Sequence, residues 1–396
     1  MEITDVTCVK LEGTLEEYPE GILQERLARP TDVYDEYRAV GSRHVTTEPG
    51  GPHPLTQYFL TIETSDGLRG LGGPLDRLWA TATLEMGQDL LGQNALATEK
   101  IADVLFGRWG DAITGVRAKA ISAIDVALWD LRGKHYDAPV YELLGGPTRD
   151  TLPCYASMLG FSVDPDDVRQ RASEYHERGF QAQKWFFRHG PGSGEEGIER
   201  NLALAKAATE ATPEHYDIMF DCWRSWGTSY TRTMVNRLAP YEPRWLEQPI
   251  DSQHIDQFAR LTADAPFPIA GGEHDTTRWD FHQLLSAHAL DIIQPDTYYT
   301  GGVSEATKIC TLASTHDVPV MLHGHSVPAN VHVIAAQPPT VCPLVEFLIQ
   351  RNARYQHFFD ESIVPNDGVI ELPQRPGIGV EIDENTVERK ESYGLE

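Results

Sequence analysis

The chain is short of lysine. Eight lysines and 25 arginines (33 − 8 = 25) stand against 59 Asp and Glu, a formal net charge of −26. That balance disfavours a general basic surface for nucleic acid or for anionic membrane. An acid-rich, lysine-poor surface suits a protein hydrated in concentrated salt, where screening weakens self-repulsion. A salt-adapted source is therefore expected, and stability unchanged between dilute buffer and molar salt would remove that expectation. No apolar run approaches the roughly 20 residues of a membrane span. The opening M-E-I-T-D-V-T-C-V-K-L-E alternates like a strand and lacks a charged-then-apolar signal pattern, so a cytoplasmic protein is expected. The five cysteines, Cys8, Cys154, Cys222, Cys310 and Cys342, are odd in number and form no C-x-x-C pair. This argues against a disulfide framework and against a zinc site, leaving buried thiols.

What is present is a large apolar fraction, 41% of 396 residues, enough for two or three domains or for one barrel with an elaborate cap. Three carboxylates organise the chain: Asp221 ends Y-D-I-M-F-D, Glu247 ends R-W-L-E, and Glu273 ends F-P-I-A-G-G-E. Their spacings are equal, 247 − 221 = 26 and 273 − 247 = 26. Such a period accommodates a strand, a turn, a helix and a return loop, which puts the acids at one end of neighbouring parallel strands. Strands lie roughly 4.8 Å apart, so three ionised carboxylates there repel one another unless a cation sits between them. All-oxygen ligation points to a hard ion, magnesium before manganese or calcium. The plainer alternative, that each acid caps its own helix, does not account for the common register.

Residues 1–12 and 58–70 read as strands, the second ending in a D-G turn that opens a hairpin. Between them, residues 16–54 are polar and aperiodic, with Arg43, His44 and His53. A loop of that length in a compact domain is expected to be a lid or to be disordered. Residues 78–145 have helical period. Ala120, Ala123 and Ala127 fall on one face, open to close approach by another element, and Gly133 is expected to end that helix. Asp125 and Asp130, mid-helix in an Ala-rich segment, read as structural. From Leu152 a βα rhythm begins, with strands starting near Leu152, Ala182, Tyr216, Arg244, Phe267, Asp291, Val318 and Leu344. Eight strands fit a closed (β/α)8 barrel. The rival, an open doubly wound sheet, should show a Gly-rich phosphate turn after its first strand, and none is found. The alternating stretch beyond residue 360 is expected to return to the N-terminal domain.

Residues at the C-terminal strand ends of a barrel face the active site. Lys184, on the second strand, is a cation near the carboxylates that could hold a substrate oxygen, or act as a base if desolvation lowered its pKa. Asp296 and His323 end the sixth and seventh strands, where the carboxylate could orient the imidazole as a general acid or base. His325 is an alternative to His323. Glu346 reaches the same rim from the last strand, and His274 follows Glu273. A metal, a cation and a His–Asp dyad together suit abstraction of a proton next to a carboxylate.

The motifs A-L-W-D-L-R-G-K with P-V-Y-E-L-L-G-G (127–146), D-C-W (221–223), W-L-E-Q-P (245–249), G-G-E-H (271–274), Q-P-D-T-Y-Y-T-G-G (294–302) and H-G-H-S (323–326) make the chain resemble the enolase superfamily, in its mandelate racemase branch. Within it the chain is similar to the L-rhamnonate and related acid-sugar dehydratases. The resemblance implies an α+β capping domain over 1–150 with a lid at about 16–54, a modified TIM barrel, (β/α)7β, over 151–360, and a C-terminal segment, 361–396, returning to the cap. It implies one Mg2+ held by Asp221, Glu247 and Glu273, an Asp296–His323 acid/base dyad, and Glu346 hydrogen-bonding the substrate carboxylate. Arg43, His44, His274 and His325 are further substrate-contact candidates, and a closed homo-oligomer is implied. Many relatives carry K-x-K on the second strand, whereas here Phe186 replaces the second lysine. That disfavours two-base racemisation and favours loss of water from an aldonate to give a 2-keto-3-deoxy acid. The competing readings are an epimerase or racemase using the same enolate, marked by solvent deuterium in unreacted substrate, and a non-catalytic barrel, marked by absence of magnesium binding.

Overall fold

The computed structural model describes residues 1–16, 23–39, 52–110 and 113–394. The first sheet is antiparallel and four-stranded. It contains β1 (Ile3–Leu15), β2 (His53–Thr64), β3 (Arg69–Leu75) and a strand from the far end of the chain. The D-G turn falls as expected, with Gly67 left-handed between β2 and β3. The helical period of residues 78–145 corresponds to three α-helices, Arg77–Gly87, Thr98–Arg108 and Gly115–Tyr136, followed by a short turn of helix at Val140–Leu143.

The alanine face of Gly115–Tyr136 receives β3, because a Cβ at Gly70 or Gly72 would collide with the carbonyl oxygens of Ala127 and Ala123. Gly133 does not end this helix. The chain stays helical to Tyr136 and turns left-handed at Asp137, while Gly133 gives room for the backbone of Gly377 to approach. Asp125 and Asp130 are structural. Asp125 accepts from the backbone N–H and hydroxyl of Ser304, at the start of helix Gly302–Ser314, and Asp130 accepts from the N–H groups of Leu71 and Ile378.

The second sheet is parallel. Its strands are β4 (Thr151–Ser157), β5 (Ala182–Phe186), β6 (Asp217–Asp221), β7 (Trp245–Glu247), β8 (Ile269–Gly271), β9 (Ile292–Ile293) and β10 (Val345–Leu348), and β10 returns to pair with β4. The expected seventh barrel strand is reduced to a single bridge, Ile293 to Val320, extended by the His323 N–H donating to the Pro295 carbonyl. The ring is nonetheless filled as a barrel. One buried side chain from each of the eight positions, from Tyr155 through Trp245 to Met321 and Leu344, forms a separate inner cluster. Helices follow the first seven barrel positions, whereas only the seven-residue segment Ile349–Tyr355 follows β10. The architecture is thus (β/α)7β with an α+β cap.

The C-terminal segment divides, contrary to the expectation that it pairs wholly with the cap. β11 (Val369–Glu371) joins β4 of the barrel, and β12 (Arg389–Tyr393) completes the cap sheet beside β1. Among the described residues no helix is long and apolar enough to cross a membrane. All five cysteines are buried free thiols.

Candidate active site

Parallel pairing sets Asp221 opposite Glu247, at the ends of β6 and β7. Glu273 follows the last residue of β8 by two positions. All three acids are buried. Left-handed non-glycine residues cluster directly behind two of them, at Trp223, Arg224 and Gln248. Such conformations cost energy that the surrounding structure must support, and they concentrate at functional sites.

Lys184 on β5 lies in the midst of these acids, 2.6 Å from Glu247 and 2.7 Å from Glu346, with Asp221 at 3.9 Å. Burial by itself would lower the lysine pKa, but the charges of Glu247 and Glu346 outweigh it and hold the ammonium well above its usual range. A neutral Lys184 acting as a base does not fit these surroundings. Glu247 also accepts from Trp245 Nε1 at 3.1 Å and from Gln294 Nε2 at 2.5 Å.

Glu346 is fully buried and accepts from the Gly324 N–H at 2.8 Å. Burial raises its pKa, but the Lys184 and His323 charges prevail and hold the carboxyl at about 2. An ionised carboxylate accepts hydrogen bonds only. In this arrangement it anchors Lys184.

Asp296 and His323 do meet. Nδ1 of His323 is 2.7 Å from Asp296 Oδ2, and Nε2 is left 3.4 Å from Glu273 Oε2. Asp296 also accepts from the Tyr298 N–H, which fixes the carboxylate. Burial pulls the imidazole pKa down, but Glu273, the Asp296 hydrogen bond and Glu346 together raise it to about 10. His325 is the weaker partner, 3.7 Å from Asp296 and boxed by aromatic rings, with Tyr355 at 4.8 Å and Trp79 stacked at 6.0 Å. Burial lowers it to about 4. His274 sits 3.2 Å from both Gln248 and Glu273, and burial, then Arg224, depress it to about 3.

These groups open into a cavity of about 660 Å³. Lys184, Asp221, Glu273, His274, His323 and His325 line it, joined by residues that periodicity does not mark: Arg224, Tyr299, Arg351 and Tyr355. The only available signal was position, since Arg224 and Tyr299 lie inside the D-C-W and Q-P-D-T-Y-Y motifs or directly beside them. Leu23, Glu25 and Arg29 show that the described part of the 16–54 segment covers this cavity. It is pinned by a buried Arg26–Asp32 pair at 2.8 Å and by the Ala28 N–H donating to the Phe187 carbonyl. Arg43 and His44 lie outside the described residues.

In the conformation shown, no three His, Cys, Asp or Glu side chains among the described residues are gathered closely enough to hold a metal ion. The donor set nevertheless fits one. Four buried acids, Asp221, Glu247, Glu273 and Glu346, gather around Lys184 and His323. Burial and then Glu247 push Asp221 well above the carboxylate range, and burial with Glu346 and Glu273 raises Glu247 against the pull of Lys184. A hard divalent cation would relieve that excess of negative charge.

A capped (β/α)7β barrel, with acids on three consecutive strand ends and a His–Asp pair beyond them, defines an enzyme of one architectural class. The chain belongs to the enolase superfamily. Residues 167–386 match the enolase C-terminal domain-like family, and 53–145 match the mandelate racemase / muconate lactonizing enzyme N-terminal domain. Two relatives are the L-rhamnonate dehydratase of Saccharopolyspora erythraea, 31% identical over 91% of this chain and 90% of that one, and the D-galactarolactone cycloisomerase of Agrobacterium fabrum, 34% identical over 83% and 89%. A racemase from Streptomyces coelicolor A3(2), solved with bound magnesium, superposes with a TM-score of 0.79 at 26% identity over 97% of this chain and 98% of that one.

Proposed function

We propose that the protein is a magnesium-dependent dehydratase of a five- or six-carbon sugar acid, releasing water to give a 2-keto-3-deoxy acid. The observation that carries this reading is the Asp296–His323 pair at 2.7 Å, with the second nitrogen of His323 turned toward Glu273 and the cavity. Asp296 holds Nδ1–H, so Nε2 is the atom that exchanges protons with substrate. A divalent ion on Glu273 would offset the largest of the charges that raise His323. In this reading Nε2 is then free to take the C2 proton, and the resulting imidazolium is placed to protonate the departing C3 hydroxyl. The enol that remains tautomerises to the keto acid.

Among the described residues no second base is evident opposite His323. Phe186 occupies the position where many relatives have lysine, and Lys184 is held charged by Glu247 and Glu346. Asp221, Glu247 and Glu273 would hold the magnesium. When bound, the ion supplies positive charge to the substrate carboxylate as the enediolate forms. Lys184 keeps Glu247 and Glu346 in place and contributes positive charge to the same end.

The test is purified protein with magnesium against a panel of aldonates and aldarates, in dilute and in molar salt, with keto acids detected by semicarbazide absorbance. Turnover of at least one sugar acid to a 2-keto-3-deoxy product is expected. Solvent deuterium entering recovered substrate with no keto product would replace this reading with an epimerase or racemase.

A further inference from the structure

Positive charge at the reacting end of the cavity is matched within the protein. Lys184 is paired with Glu247 and Glu346, and His323 with Asp296. The wall that follows β10 is different. Arg351 lines the cavity beside Leu348 and Tyr355, and among the described residues no carboxylate lies within 4.0 Å of it. Its Nε is buried without a hydrogen-bond partner. Arg224, on the wall after β6, shares the buried Nε but not the lack of a carboxylate neighbour. Its Nε is likewise buried and unpartnered, its guanidinium lies 5.3 Å from the centroid of the Trp223 ring, and its carboxylate neighbour, Asp251, is at 3.7 Å.

Arg351 and Arg224 are part-exposed at the cavity wall, yet each keeps a buried Nε–H without an acceptor, and the planar fork of a guanidinium matches a carboxylate. Where such a group lines a ligand cavity, the missing partner is the ligand. Arg351 is also within reach of the chemistry. His325 lies 3.7 Å from Asp296, its ring is 4.8 Å from that of Tyr355, and Tyr355 is one helical turn beyond Arg351. Leu23, Leu27 and Leu159 line the same cavity and would accept a terminal methyl. Burying one methyl is worth less than supplying a charged acceptor to a buried guanidinium N–H, so the charge decides.

We infer that the preferred substrate is a sugar diacid, with Arg351 receiving the carboxylate remote from the reacting carbon and Arg224 adding to the field around it. The inference rests on the dehydratase reading, whose substrate class it narrows. The experiment compares kcat/KM for a hexarate with that for the hexonate of the same C2–C5 configuration, in the wild-type protein, Arg351→Met and Arg351→Lys, each checked for an unchanged circular dichroism spectrum.

The wild type should favour the diacid. Arg351→Met should lower that preference by about 10- to 100-fold, through KM, as expected for loss of a charge-assisted hydrogen bond. Arg351→Lys should recover part of it. Equal or better turnover of the mono-acid by the wild type, or an unchanged preference ratio in Arg351→Met, overturns the inference and leaves the dehydratase reading standing. If neither acid turns over, that reading fails, and calorimetry decides the inference with the same two acids. Tighter binding of the diacid that Arg351→Met weakens supports it, and equal binding overturns it.

Discussion

Replacing His323 by Asn is expected to lower turnover by about a thousandfold to ten-thousandfold, the upper range for a positioned acid or base. Two features of the site make the effect large. Nδ1 is committed to Asp296 at 2.7 Å, among the described residues no other histidine nitrogen is oriented in the same way, and His325 is held at 3.7 Å within an aromatic box that keeps it neutral. Lys184 cannot substitute readily, because Glu247 and Glu346 favour its charged form. Asparagine keeps hydrogen-bonding capacity toward Asp296 but does not titrate. The measurement is initial-rate formation of keto acid, together with exchange of the C2 hydrogen against deuterated solvent. Both should fall together, since one nitrogen serves both. A variant that retains its rate within tenfold would remove His323 from the reaction. One that still exchanges C2 hydrogen while losing product would confine His323 to departure of the hydroxyl.

Removing divalent metal is expected to abolish turnover, and adding magnesium to restore it. The argument is electrostatic. Asp221 and Glu247 are both pushed up by burial and by neighbouring acids, so these two bind protons more readily than isolated carboxylates do. A divalent ion relieves the same excess, and any ligand that binds only the folded state stabilises it, by about 2.7 kcal/mol at a hundred times its dissociation constant. Chelated protein should therefore melt at a lower temperature than protein in magnesium. Glu247→Gln should weaken that response, because it removes a charge from the cluster and a partner from Lys184. Full activity in chelator with an unchanged melting temperature would rule out the metal.

Much of the architecture was legible in the chain because it depends on local spacing. The repeat of 26 residues places Asp221, Glu247 and Glu273 on consecutive strand ends, since each βα unit has a length set by its own helix and turns. The alanine face at 120, 123 and 127 announces close approach, and β3 makes that approach through Gly70 and Gly72. The pairing of Asp296 with His323 was also accessible, because adjacent strands of a parallel barrel bring their ends together.

Other features depend on contacts between residues far apart in sequence. Gly133 reads as a helix stop, yet it is needed where Gly377 crosses the helix. The seventh strand reads as regular, yet it makes a single bridge, because its next residues turn to carry His323 and the backbone of Gly324 toward Asp296 and Glu346. The state of Lys184 could be framed only as a contest between desolvation and nearby charge. Tertiary structure decided it by placing Glu346, 162 positions away (346 − 184 = 162), at 2.7 Å. Periodicity along the chain was enough for the barrel and the strand ends that carry acids, and the family motifs for the cap. Folding in three dimensions set which of the gathered groups are charged and left the buried Nε atoms of Arg224 and Arg351 without partners, because charge state depends on burial and on neighbours that no local pattern specifies.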